Sequence, residues 1–307
     1  MRIAVVDIGT NSTRLLIADV EDGLVHEVER RTTVTNLGRG VDLTHNLCTD
    51  AIAGVCRVIG DYKAHWEELG AERVVAIATS AVRDAANGDA FIAELRELYG
   101  LDARVLSGEE EAHLTYRGAT AQRDGADAML VFDIGGGSTE VVVGYGEEVA
   151  FHVSLQAGTI RHSERHLSSD PPDPHELEEL ADDVRALVDQ AVAAADASGR
   201  NLRAIAVAGT PTSLAAIAQE LDPYDPSRVH GYRLGLRTIQ RIYSRLAALP
   251  LAERLRLPGL HPGRAPTIVA GTVILVQVMR AFGLDEIEVS ERDILHGSAL
   301  NAALAPA

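Results

Sequence analysis

The chain is poor in the features that would make it a disulfide scaffold, a zinc ribbon or a membrane protein. It has two cysteines, Cys48 and Cys56, eight apart and without a second pair. That spacing builds neither a zinc ribbon nor a CxxC redox motif, so both read as reduced structural thiols. No apolar run approaches the roughly 18 residues of a membrane-spanning helix. The N-terminus, MRIAVVDIGT, meets an aspartate at position 7 and lacks a signal-peptide core. The cytoplasm is therefore the expected compartment, with no membrane partner. Basic charge is scarce too: 28 Lys and Arg against 45 Asp and Glu leave a net charge of −17. Passive nucleic-acid binding needs a basic surface and is not expected. A small anion remains compatible with this balance if backbone N–H groups, arginines and a metal gather locally around it. No low-complexity segment or disordered linker interrupts the chain. What is present is the composition of a globular protein, 46% hydrophobic and 24% charged over 307 residues, long enough for two domains with real cores.

The chain resembles itself. RIAVVDIGTNSTRLLIADV (2–20) aligns with AMLVFDIGGGSTEVVVGYG (128–146), placing Asp7 over Asp133, Gly9 over Gly135, Ser12 over Ser138 and Thr13 over Thr139. Every pair keeps one offset, 133 − 7 = 126. Apolar β-formers flank a turn of Gly, Asn, Ser and Thr in each copy, which predicts a duplicated strand–turn–strand hairpin.

Strand and helix patterns alternate around the copies. Helical periodicity covers 50–70, 89–100, 175–199 and 263–283, the last so apolar that it should be buried. Short apolar runs at 73–80, 103–106 and 286–290 read as strands, and 203–221 as strand, turn and helix. In SGEEEAHLTYRGATAQ (107–122), Ser107 precedes Glu110 by three, a capping-box spacing that starts a helix near Gly108. SSDPPDP (168–174) punctuates the chain, and 293–305 is a closing helix. Such alternation predicts mixed α/β layers.

The turn at 133–140, DIGGGSTE, brings together the parts that phosphate chemistry needs. Gly135, Gly136 and Gly137 permit positive φ and remove side chains, so that successive N–H groups can converge on an anion. Ser138 adds a hydroxyl. Asp133 at the strand end and Glu140 on the returning strand are candidates for holding hydrated Mg²⁺, which takes few protein ligands. In the first copy Asn11 and Ser12 can donate to phosphate oxygens, and Arg14 can make charge-assisted contacts. Asp7 occupies the place of Asp133.

DIGTNSTR (7–14), SGEEEA (107–112) and DIGGGSTE (133–140) together resemble the exopolyphosphatase/guanosine pentaphosphate phosphohydrolase family, within the actin, sugar-kinase and Hsp70 ATPase superfamily. ATSAVRDAANG (78–88), VAGTPTSL (207–214) and ERDILHGSAL (291–300) extend the likeness over nearly the whole chain. The resemblance implies two duplicated ribonuclease-H-like (actin-like) α/β domains with mixed sheets. These would span 1–122 and 123–290, with the terminal helix 291–307 packing back on the first and an active-site cleft between them. It implies Glu111 as the catalytic residue that orients or deprotonates the attacking water. Asn11, Ser12, Arg14, Arg83, Gly135, Gly136, Gly137 and Ser138 would bind phosphate, and Asp133, Glu140 and Asp7 would bind metal. Mg²⁺ is the implied cofactor, with Mn²⁺ and K⁺ as further candidates. Inorganic polyphosphate or guanosine pentaphosphate is the implied substrate, and a homodimer the implied assembly.

Long members of that family carry a further helical domain, so a preference for shorter polyphosphate is expected here. Arg237, Arg241 and Arg245 are four apart and, with Arg228 and Arg233, read as a solvated basic helix face. His162 and His166 are also four apart, but no HExxH glutamate accompanies them, which argues against zinc. VAGTPTSL resembles the superfamily's nucleotide-binding turn with little glycine. Rival readings are a small-molecule kinase, which shares the two loops, and a non-enzymatic nucleotide-binding module; Glu111 speaks against both.

Overall fold

The computed structural model describes residues 1–123, 127–195 and 202–304, except for the side chain at 194. The end of the predicted helix 175–199 and positions 305–307 lie outside the described residues. The chain forms two compact units, Met1–Gln122 together with the segment from Asp293, and Arg123–Arg292.

The first unit holds a five-stranded sheet in the order β3-β2-β1-β4-β5. Its strands are β1 (Arg2–Ile8), β2 (Ser12–Glu21), β3 (Leu24–Val34), β4 (Arg73–Ala78) and β5 (Ala103–Val105). β1 pairs antiparallel with β2 and parallel with β4, so the sheet is mixed. Its run IAVVDI is buried throughout because both faces are covered. Ala4, Val6 and Ile8 pack with Val55, Ile59, Phe91 and Leu95 of the helices Thr49–Glu68 and Gly88–Tyr99. The alternate positions Ile3 and Val5 pack with Leu295 and Ala299 of the closing helix Ile294–Leu304. That helix presses on Gly108–Thr120 so closely that only glycines fit. A Cβ at Gly118 would lie 1.8 Å from the Asp293 carbonyl oxygen, and one at Gly297 would lie 1.8 Å from that of Leu114.

The second unit holds a six-stranded mixed sheet in the order β10-β11-β9-β6-β7-β8. Here β6 is Ala128–Ile134, β7 Thr139–Tyr145, β8 Glu148–Leu155, β9 Arg203–Val207, β10 Arg233–Gly235 and β11 Glu286–Val289. The helix Ile268–Ala281 is buried at every position from Ile268 to Met279, as its apolar sequence predicts. It shares the unit's core with Pro174–Ala195 and Gly209–Ala218.

The two hairpins repeat each other in detail. Asp7 lies opposite Arg14 across β1 and β2, and Asp133 lies opposite Glu140 across β6 and β7. Gly9 N–H donates to Ser12 O at 3.0 Å, and Gly135 N–H donates to Ser138 O at 3.0 Å. The ladders to the third strands slip between Ile17 and Ala18 in one copy and between Val143 and Gly144 in the other. All these pairs keep the offset of 126 read from the sequence, 133 − 7. The third strands, β3 and β8, were not expected, although in β8 Val149, Phe151, Val153 and Leu155 recur at every second position. β3 lies at a sheet edge and exposes polar side chains such as Glu27, Thr32 and Thr33 where alternating apolar residues would have marked a strand.

Candidate active site

In the first unit, Asp7, Asn11, Ser12 and Arg14 lie around the end of β1 and the start of β2. Asp7 is buried, and its Oδ2 accepts from Arg14 Nε at 2.8 Å and Nη2 at 2.6 Å. Arg14 Nη1 donates to Asp293, the residue just before the closing helix. Three of the five guanidinium N–H donors are thus committed to carboxylates, an engagement the sequence did not foretell. Burial pushes the Asp7 carboxyl above its ordinary range, against the pull of Arg14. Asp293 meets the same burial, but the charges of Arg14, Arg30 and His296 outweigh it and hold that carboxyl below its ordinary range. Asp7 Oδ1 is buried and accepts no hydrogen bond from the described residues. An orphaned carboxylate oxygen in this position fits a divalent cation or its water.

Along the turn, Thr10 Oγ1 accepts from Ala81 N–H at 3.1 Å, and the Asn11 carbonyl accepts from Thr35 and Asn36 N–H at 3.0 and 2.9 Å. Asn11 Oδ1 is buried without a hydrogen-bond partner among the described residues, and Ser12 is half-buried at the start of β2.

The three glutamates of SGEEEA have separate fates. Ser107 and Glu110 form the capping box: Glu110 N–H donates to Ser107 Oγ at 3.2 Å, and Ser107 N–H to Glu110 Oε2 at 2.9 Å. Glu109 is exposed. Glu111 turns inward, 8% exposed, and accepts from Arg83 Nη1 at 3.0 Å. The same Arg83 nitrogen donates to the Leu106 carbonyl at 2.8 Å, which fixes the guanidinium against the helix start. Arg83 and Glu111, distant in sequence, are therefore brought together.

In the second unit the glycine turn is built from behind. Thr159 N–H donates to Gly135 O at 2.9 Å, Ile160 N–H to Gly136 O at 2.8 Å and Arg161 Nε to Gly137 O at 2.8 Å. The first turn of the helix Thr159–His166 thus consumes the carbonyls of the glycine turn. The N–H groups of Gly136 and Gly137 donate to no group among the described residues. Two N–H groups without an acceptor beside the Ser138 hydroxyl are donors that an anion could use. None of the three glycines adopts positive φ, contrary to the conformational reason expected for them. The close approach is required of Gly158, where a Cβ would lie 2.3 Å from Gly137 C and 2.4 Å from Gly136 O; at Gly135 a Cβ would meet only Ser138 O, at 3.2 Å. Asp133 is 7% and Glu140 1% exposed, and Ser154 Oγ donates to Glu140 Oε1 at 2.8 Å. All-oxygen donors of this kind suit Mg²⁺.

Sequence reading missed Asp293, Gly158, Arg161 and Ser154. The motif ERDILHGSAL contained Asp293, but nothing local tied it to Arg14, 279 residues away. The arginine run behaves as a solvated surface: Arg228, Arg233, Arg237, Arg241 and Arg245 are exposed, and Arg233 pairs with Glu286 at 2.7 Å. At VAGTPTSL, Arg264 Nη1 donates to Gly209 O at 3.0 Å, Ser213 Oγ at 3.2 Å and Thr212 Oγ1 at 3.3 Å, closing the turn. Cys48 and Cys56 are both free thiols. His162 and His166, set aside as a zinc pair, acquire a third potential ligand in Asp183.

Two mixed sheets carrying the same acid-ended hairpin define an α/β protein with two units on one plan. The chain belongs to the Ppx/GppA phosphatase family, whose sequence model matches residues 16–305. It is 38% identical to exopolyphosphatase 2 of Mycobacterium tuberculosis over 316 aligned residues, covering 98% of each chain. Among solved structures, the Ppx/GppA family member of Aquifex aeolicus matches with TM-score 0.83 and 31% identity, over 99% of this chain and 98% of that one. An exopolyphosphatase from Cytophaga hutchinsonii matches with TM-score 0.90 and 25% identity, over 98% of each.

Proposed function

We propose that the protein is an exopolyphosphatase: it hydrolyses the terminal phosphoanhydride of inorganic polyphosphate and releases orthophosphate. One observation carries the reading to chemistry. Of the three glutamates in SGEEEA, Glu111 alone is withdrawn from solvent, and Arg83 holds its carboxylate. The similarity to exopolyphosphatase 2 over the full length supports the substrate class.

In this reading Glu111 orients the attacking water and takes its proton as the oxygen bonds to the terminal phosphorus. The shortened chain departs with the electrons of the broken P–O bond. Phosphoryl transfer asks mainly for positioning and charge stabilisation. Gly136 and Gly137 N–H groups and the Ser138 hydroxyl receive phosphoryl oxygens, and Asn11, Ser12, Arg14 and Arg83 bind the chain. Asp7, Asp133 and Glu140 would hold Mg²⁺, for which Mn²⁺ is a candidate substitute and K⁺ a candidate companion. The bound ion supplies neutralisation of phosphoryl charge. The implied homodimer is part of the proposal and is tested by light scattering.

The test offers the pure protein polyphosphate, guanosine pentaphosphate, or ATP with acceptors, each with and without Mg²⁺. The expected result is Mg²⁺-dependent phosphate release from polyphosphate and no transfer from ATP. Release from guanosine pentaphosphate alone, or acceptor phosphorylation, would replace the reading.

A further inference from the structure

The helices Thr159–His166 and Pro174–Ala195 meet at three side chains that the hydrolytic reading does not use. His162 and His166 stand one turn apart on a shared face, and Asp183 reaches them from the neighbouring helix. His166 Nε2 is 2.9 Å from Asp183 Oδ2, and His162 Nε2 is 3.5 Å from the same oxygen. The ring centroids are 5.8 Å apart, and one ligand atom from each residue lies within 4.8 Å of the other two. His162 is fully buried, and its Nε2 has no hydrogen-bond partner among the described residues. A purely structural His–Asp–His cluster would close the 3.5 Å gap; this one leaves a buried ring nitrogen unsatisfied and aimed at a carboxylate.

We propose that His162, His166 and Asp183 form a three-ligand site for a transition-metal dication of the zinc class. Two imidazoles and one carboxylate are the donors such ions prefer, whereas Mg²⁺ selects oxygen alone. Asp183 is partly exposed and His166 slightly so, which gives the ion an entry path and leaves a fourth position for water. Arg165, whose Nη1 lies 3.3 Å from Asp183 Oδ2, has a side chain 41% exposed, with room to turn out to solvent when the ion enters.

Loading is linked to the glycine turn. Gly158 N–H donates to His162 Nδ1 at 3.3 Å, so the neutral ring carries its proton on Nε2. Binding through Nε2 sends that proton to solvent while Nδ1 acquires another, with no net change. The ion therefore displaces the long hydrogen bond from Gly158, the residue packed on Gly136 and Gly137.

The test uses untagged, chelator-treated full-length protein with excess Mg²⁺, titrated with Co²⁺ as a spectroscopic substitute for zinc. The expected result is one bound Co²⁺ per chain with visible d–d absorption, displaced by Zn²⁺. Asp183→Asn and His166→Ala should each bind Co²⁺ at least about tenfold more weakly while keeping wild-type circular dichroism. Glu111→Gln should bind it as wild type does. Absence of d–d absorption in the wild type, or unchanged binding in folded Asp183→Asn, overturns the proposal.

Discussion

Replacing Gly158 with alanine tests how the glycine turn is held. The new methyl would lie 2.3 Å from Gly137 C and 2.4 Å from both Gly136 O and Gly137 Cα. Carbon atoms pack at about 3.5–4.0 Å, so the turn and the helix start must separate by roughly 1 Å. Every obstructing atom is backbone, and no side-chain rotation relieves the clash. Separation stretches the bonds from Thr159 and Ile160 N–H to Gly135 and Gly136 O, now 2.9 and 2.8 Å. Overpacking costs about 1–3 kcal/mol, and each weakened hydrogen bond adds about 0.5–1.5 kcal/mol. A loss of roughly 2–6 kcal/mol lowers Tm by about 4–24 °C for a unit of this size. A 1 Å displacement of a binding group costs about 100-fold in activity. Calorimetry and phosphate release from polyphosphate, run on the same preparation, read both effects. Wild-type Tm refutes the packing geometry. A lowered Tm with wild-type kcat/KM among the folded molecules refutes the turn's role in function.

Gly54→Ala should move stability the other way: it sits in the helix Thr49–Glu68 with nothing within 4 Å of an added methyl, so a gain of about 0.5–1 kcal/mol is expected in chemical denaturation. Arg83→Ala leaves the Glu111 carboxylate buried without its cation; because Arg83 is partly exposed, the loss should fall below the roughly 3–5 kcal/mol of a fully buried pair, with phosphate release lost and Arg83→Lys recovering part of it. Glu176 accepts from the Ser168 and Ser169 hydroxyls and from Asp173 N–H, which holds its carboxyl down to about 2 from 4.5. Its contribution is complete above pH 4.5 and disappears as pH falls towards 2, so the Tm gap between wild type and Glu176→Gln should close over that window. A gap independent of pH would contradict this cause.

The duplicated hairpins were legible because their pairing is local: Asp7 and Arg14, like Asp133 and Glu140, are seven positions apart, and apolar β-forming runs flank each turn. The helix carrying Glu111 was legible from its capping box, which also explains why Glu110 and Glu111 differ. What escaped notice depends on long-range packing. Asp293 reaches Arg14 only once the closing helix covers β1, and Gly158 acquires meaning only against Gly137. The glycines at 135–137 stood out for a positive φ that none of them adopts, and the position where backbone contact demands glycine is Gly158, packed on that turn. Asp183 joins His162 and His166 from another helix, so spacing along the chain could not reveal a third ligand.

The central claim is that Glu111 serves the water that attacks the terminal phosphate. Polyphosphate binding and single-turnover phosphate release, measured side by side for wild type and Glu111→Gln, address it directly. The account expects unchanged polyphosphate affinity with release reduced at least about 100-fold, the scale of a lost general base. Wild-type release by Glu111→Gln would contradict it.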